Sequence, residues 1–150
     1  MTDFLYLDDL SVGQRFTSGA EAVDADGIKA FARQFDPQPF HLDEEEAKDT
    51  FFGGLAASGW HVAAVTMKLL VEGAPIAGGI VGAGGEIAWP KPTRPGDVLR
   101  VTSEVVEITP SRSRPNRGMV TLRSETRNQN DDVVQVLTAK LVVPTRPKSA

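Results

Sequence analysis

The sequence predicts an α+β fold in which an antiparallel β-sheet wraps around one long buried helix. Three observations predict it. Trp60 to Val71 is an apolar run whose only strongly polar face residue is Lys68, and a helix apolar nearly all round belongs in an interior. Val98–Ile108, Met119–Asn128 and Val133–Val143 are β-branched runs of strand composition. The links between those runs, Pro110–Gly118 and Gln129–Asp132, are rich in turn residues, as in an antiparallel meander.

The elements follow in order. A short lead-in precedes a strand at Phe16–Val23. Ile28, Phe31, Ala32 and Phe35 then recur at three- and four-residue spacing, with Asp24 or Asp26 as the cap, and that helix stops where Asp36-Pro37 begins. The segment Asp36-Pro37-Gln38-Pro39-Phe40-His41 reads as a stiff loop, because proline biases its predecessor toward an extended conformation. A second short helix starts at Asp43, with Glu46 in the capping-box position. Gly53-Gly54 allows tight packing or a bend. The long helix runs from Ser58 to Glu72, about 22 Å at about 1.5 Å per residue, and Gly73 stops it. A Gly-rich strand spans Ile80–Trp89, and Pro95-Gly96-Asp97 is a turn before the three long strands. A sheet with an edge or face left uncovered predicts a homodimer or a dimer-based higher oligomer. The chain reads as one domain over residues 1–150, with its core at about 10–143 and a frayed tail at 144–150.

Composition narrows the function. At 150 residues the chain buries roughly 70% of its unfolded surface. It has no apolar run of membrane-spanning length, and its start, Met-Thr-Asp-Phe-Leu-Tyr-Leu-Asp-Asp, is acidic where a secretory signal is basic. With no cysteine there is no disulfide, thiolate catalysis or cysteine-ligated metal, which fits a reducing cytoplasm. A net charge of −4 argues against a nucleic-acid partner. The two histidines, His41 and His61, stand in unlike contexts and make a poor metal site. His61, inside the apolar helix, reads as a packing or interface residue.

The chemistry concentrates at Asp36 and His41, a carboxylate and an imidazole held by a proline-stiffened segment. Either group accepts a proton and both hydrogen-bond, so together they suit the holding of one reactive water.

Asp36-x-x-x-x-His41 followed by Asp43, the run Phe52-Gly53-Gly54-Leu55-Ala56-Ala57-Ser58-Gly59-Trp60, and Pro92-Thr93-Arg94-Pro95-Gly96-Asp97 occur in that order. In this ordered set the chain resembles the MaoC-like dehydratases, the (R)-specific enoyl-CoA hydratase branch of the hot-dog fold. It departs from many relatives in carrying Gln38 where they have Asn and Ser58 where they have His. The resemblance implies reversible addition of water across a 2-enoyl-CoA thioester, with Asp36 and His41 as the catalytic pair. Gly59, at the helix N-terminus, is then the backbone donor to the thioester oxygen, and Ser58 and Phe40 are substrate-binding neighbours. No cofactor is implied beyond the coenzyme A of the acyl-CoA substrate. Its phosphates call for a local basic patch. Arg112, Arg114 and Arg117 in the Pro110–Gly118 link are one candidate, and Lys91 with Arg94 is another. Two rival readings remain open: an acyl-CoA thioesterase on the same fold, and a non-catalytic acyl-CoA-binding module.

Overall fold

The computed structural model describes residues 3–148. A 3-10 turn at Leu7–Asp9 leads into β1 (Arg15–Val23), α1 (Ala25–Phe35), the single turns α2 (Pro39–Leu42) and α3 (Glu44–Ala47), and the long helix α4 (Gly59–Gly73). Strands β2 (Val81–Ala88), β3 (Asp97–Pro110), β4 (Arg117–Arg127) and β5 (Val133–Pro144) complete the chain. The strands form one five-stranded antiparallel sheet in the order β1-β3-β4-β5-β2. Alternation along β3 and β4 sends Leu99, Val101, Val105, Val120 and Leu122 to one face, where Leu141 and Val143 of β5 join them. Against that face pack Val62, Leu69 and Leu70 of α4 and Ile28 of α1, in a single core cluster. Two hydroxyl pairs are also buried there, Thr66 with Thr126 at 2.6 Å and Ser103 with Ser124 at 2.9 Å, each satisfying its partner.

Local chemistry explains the helices. Asp24 caps α1 by accepting from the Gly27 N–H at 2.7 Å, and Asp43 caps α3 by accepting from the N–H groups of Glu45 and Glu46. The reciprocal half of a capping box at Asp43 is absent because its N–H is bonded to Pro39 O at 3.3 Å. That bond closes α2, so the segment expected to be all loop contains a helical turn. Pro39 opens the turn at a position where a missing N–H removes no helical bond.

Two further expectations are corrected. The long helix is buried on one side only: Trp60, Met67 and Val71 are 59%, 41% and 56% exposed on its outward side. All of β2 except Ile87 is exposed as well. At the C-terminus, Thr145 N–H bonds Asn116 O and Arg146 N–H bonds Asp8 Oδ1. The Arg146 guanidinium pairs with Asp9 and lies over the Tyr6 ring, so the chain is tied down through 146 rather than frayed from 144. The last two residues lie outside the described range. Among the described residues no helix is long and apolar enough to cross a membrane, and no group of side chains is arranged to hold a metal ion.

Candidate active site

Helix α1 ends at Asp36, whose N–H closes the last turn on Ala32 O. Pro37 prevents continuation, and the α2 turn carries His41 back beneath Asp36. His41 is 4% exposed. Its position is fixed by an extended strap, Leu55–Ser58, that runs beside α2: Ala56 N–H donates to Phe40 O at 3.0 Å, and His41 Nδ1 lies 2.6 Å from Ala56 O. A carbonyl has no proton to give, so Nδ1 carries the hydrogen and Nε2 is the exchangeable nitrogen. Nε2 faces Asp36 Oδ2 at 3.3 Å.

Asp36 is held from three sides. Ser58 Oγ donates to Oδ2 at 2.6 Å and Gln38 Nε2 donates to Oδ1 at 2.5 Å. Burial pushes the Asp36 carboxyl up, but the two hydrogen bonds and the adjoining His41 charge together outweigh it and hold the group below its ordinary value. Asp36 is therefore ionised at neutral pH. At 3.3 Å, Nε2 and Oδ2 are within reach of one shared proton, and a water can hydrogen-bond to the pair from beside it but not from between them.

The same Ser58 hydroxyl caps α4 by accepting from Trp60 N–H at 3.3 Å. Gly59 follows at the first helical position, where its N–H has no intrahelical acceptor and the helix dipole is positive. A Cβ on Gly59 would meet the Trp89 indole at 2.6 Å. The glycine thus admits an aromatic wall beside the helix start. Trp89 is itself anchored, donating from Nε1 to Oε1 of fully buried Gln135 at 2.9 Å and standing edge-on to Trp60. A bulge in β5 brings Gln135 there: Thr126 pairs with Gln135 and Arg127 with Val133, leaving Val134 as the extra residue.

His41, Gly59 and Trp89 open onto a cavity of about 550 Å³ whose other walls include Phe51, Phe52, Ala57, Val62, Thr93 and Val134, with Lys91 at its margin. Asp36 is not itself among the lining residues; its side chain, 16% exposed, meets the site through His41 Nε2.

The structure brings together Asp36, His41, Ser58 and Gly59, but gives some of the expected residues other tasks. Ser58 is fully buried and bonded to Asp36, so it positions the carboxylate instead of lining the cavity. Phe40 packs edge-on against the His41 ring at 4.6 Å and against Phe52, supporting the imidazole from outside the cavity. Arg112, Arg114 and Arg117 are not brought to this cavity: they lie on the β3–β4 hairpin, where Arg112 and Arg117 line a separate hollow of about 360 Å³. Arg94 does line the cavity, with three of its guanidinium N–H donors engaged by the carbonyls of Phe52, Gly54 and Leu55. Lys91 lies at the cavity margin and pairs with Asp132 at 3.1 Å. Gly53, at φ +65°, makes the bend that the Arg94 fork closes. His61 stacks on Phe31 with ring centroids 4.8 Å apart, a packing contact. Sequence reasoning missed Trp89, Thr93 and Val134. Trp89 is one of only two tryptophans and was a visible signal, whereas nothing local marks the other two.

A five-stranded antiparallel sheet with a long helix packed on it is the hot-dog fold. The family model described as "MaoC like domain" matches residues 11–128, and the chain belongs to that family. Among curated proteins it is 36% identical over 140 residues to the uncharacterized protein YdeM of Bacillus subtilis (strain 168), covering 91% of this chain and 96% of that one. It is 32% identical over 110 residues to a 3-hydroxybutyryl-CoA dehydratase of Methylorubrum extorquens, covering 73% and 69%. Among solved structures it is similar to a MaoC-like dehydratase from Rhodospirillum rubrum, with 61% identity, TM-score 0.94 and coverage of 96% and 99%. It is also similar to the unliganded R-hydratase PhaJ1 from Pseudomonas aeruginosa, with 26% identity, TM-score 0.74 and coverage of 97% and 91%.

Proposed function

We propose that this protein is an acyl dehydratase of the (R)-specific enoyl-CoA hydratase type, adding water reversibly across the double bond of a 2-enoyl-CoA thioester. The observation that carries the reading is the Asp36–His41 pair: an ionised carboxylate and an imidazole of fixed tautomer, with Oδ2 and Nε2 converging at 3.3 Å. A water seated against the pair and donating a hydrogen to it would have an oxygen lone pair free for C3. As the C3–O bond forms, a water proton passes to the pair, the double-bond electrons move to C2 and the thioester, and C2 takes a proton from the pair. The Gly59 N–H and the α4 dipole stabilise the negative charge on the thioester oxygen; a donor of this kind contributes about 2.7–4 kcal/mol. The dehydratase name of the Methylorubrum relative supports thioester dehydration as the reaction class.

The substrate's coenzyme A would lie at the cavity margin, with Lys91 as the nearby cation in the same chain. Arg112, Arg114 and Arg117 would serve phosphates only at the cavity of another copy. A second copy, covering the outward side of α4 and the free edge of β2, accounts for the exposure of Trp60, Met67 and Val71. A cytoplasmic setting fits a cysteine-free chain acting on coenzyme A esters.

The test offers crotonyl-CoA and longer 2-enoyl-CoA thioesters and follows loss of the enoyl chromophore separately from release of thiol. Chromophore loss without thiol is expected; thiol release would establish the thioesterase, and binding with neither would establish the non-catalytic module. Asp36→Asn and His41→Ala are each expected to lower turnover by at least about 100-fold while the protein stays folded. Near-normal turnover in both variants would refute the mechanism.

A further inference from the structure

Three buried side-chain atoms have no hydrogen-bond partner among the described residues: His61 Nδ1, Gln135 Nε2 and Thr93 Oγ1. Of the three residues only Thr93 lines the site cavity. It is 2% exposed. Its backbone is held in place, since Thr93 O accepts from Ala57 N–H at 2.8 Å, which sets the side chain beside the strap that leads to Gly59. A buried hydroxyl without a partner is destabilising, and one that lines a cavity has its hydrogen-bonding capacity open to a polar group entering there.

The cavity walls indicate what arrives. Phe51, Trp89, Pro90, Lys91 and Pro92 are exposed and form the mouth, whereas His41, Ala57, Val62, Thr93 and Val134 are buried and form the floor. A charged, bulky coenzyme stays at the mouth, and the acyl group reaches the floor. On that floor Thr93 supplies the one side-chain hydroxyl. Arg94 lines the same cavity with Nη1 and Nη2 already donating to the carbonyls of Phe52, Gly54 and Leu55, which leaves the Thr93 hydroxyl as the buried side-chain group there without a hydrogen-bond partner among the described residues.

We propose that Thr93 is a specificity-determining contact, its hydroxyl exchanging a hydrogen bond with a neutral oxygen on the acyl group, so that the preferred substrate is a hydroxylated or keto-substituted acyl thioester rather than a plain alkyl one. This rests on the reading of the cavity as an acyl-thioester site.

The experiment compares 2-enoyl-CoA thioesters of equal chain length with and without a hydroxyl at C4 or C5, on the wild-type protein, Thr93→Val and Thr93→Ser. The wild type is expected to favour an oxygenated thioester by about tenfold in kcat/KM. Thr93→Val should erase that preference, kcat/KM falling about tenfold further on the oxygenated substrate than on the plain one, Thr93→Ser should retain it, and the melting temperature of Thr93→Val should stay level or rise. An equal effect of Thr93→Val on both substrates would overturn the proposal, since the contact would then be with the shared thioester. No effect on either would also overturn it, the hydroxyl then meeting water only. If no thioester turns over, the hydration reading fails by itself. The same comparison of wild type and Thr93→Val, made by calorimetric titration with the two thioesters, then supports or overturns the Thr93 contact independently.

Discussion

Ser58 and Asp36, 22 positions apart in sequence, are joined by a hydrogen bond of 2.6 Å in which the serine hydroxyl donates to Oδ2. Ser58 Oγ in turn accepts from Trp60 N–H, so one hydroxyl couples the N-terminus of α4 to the Asp36 carboxylate. The start of α4 and the Asp36 carboxylate therefore share one side chain as a hydrogen-bond partner.

Ser58→Ala is expected to act on both. Loss of the cap should lower stability by about 1 kcal/mol. Loss of a donor to the charged carboxylate removes an influence that holds Asp36 below its ordinary value, so its pKa rises. If ionised Asp36 is needed for turnover, the acidic limb of the pH–rate profile moves to higher pH. A profile for Ser58→Ala superimposable on the wild type would show that Asp36 is not the group titrating in that limb.

Much of this arrangement was legible in the sequence, for local reasons. The β-branched runs placed β3, β4 and β5 to within a residue or two, Asp24 announced α1, and Ser58-Gly59 marked the start of α4. What stayed hidden depends on contacts between distant segments. That Trp89 fills the space beside Gly59 follows from a sheet edge folding over a helix thirty residues earlier. That Arg94 clasps Phe52, Gly54 and Leu55 follows from the same crossing, which is why a phosphate-binding role looked open from composition alone. The α2 turn was missed for a different reason: proline was read only as a helix breaker, although Pro39 stands where a helix tolerates it.

His61 carries the clearest prediction for pH and stability. Burial lowers its pKa from 6.5 and outweighs the opposing pull of Asp24. Its ring is stacked on Phe31, and Nδ1 is buried without a partner. The folded value lies below the unfolded one, so the unfolded chain takes up the proton first as pH falls. The His61 contribution is thus fully present above pH 6.5 and is lost as pH drops from there through the folded pKa. Thermal unfolding should show this slope in the wild type and a shallower one in His61→Phe, which retains an aromatic ring against Phe31. Parallel slopes would exclude His61 as the source.

Arg94 is expected to be structural. Its fork satisfies three carbonyls at the Gly53 bend, and hydrogen bonds from a charged donor contribute about 1.5–3 kcal/mol each at most. Arg94→Lys keeps the charge and loses the fork, so it should lower the denaturant midpoint by an amount equivalent to about 2 kcal/mol. A variant as stable as the wild type, with only its KM for coenzyme A esters raised, would instead return Arg94 to phosphate binding.

Gly59 and Trp89 should be coupled energetically. A methyl group at position 59 would stand 2.6 Å from the indole, too close for either to remain in place. Gly59→Ala keeps the helical N–H, and alanine is the better helix former, so any loss of stability must come from the collision. Overpacking of this kind costs about 1–3 kcal/mol. Trp89→Ala removes the obstacle but leaves Gln135 Oε1 without its donor, and should be destabilising by itself. In the double variant the collision is gone, so Gly59→Ala should cost little on the Trp89→Ala background, and the two effects should fall short of additive by about 1 kcal/mol or more. Urea denaturation of the four proteins measures the difference. Strict additivity would mean that position 59 tolerates a side chain for reasons unrelated to Trp89. The same four proteins separate packing from chemistry: if Gly59 acts through its N–H alone, activity should recover in the double variant along with the geometry of the helix start.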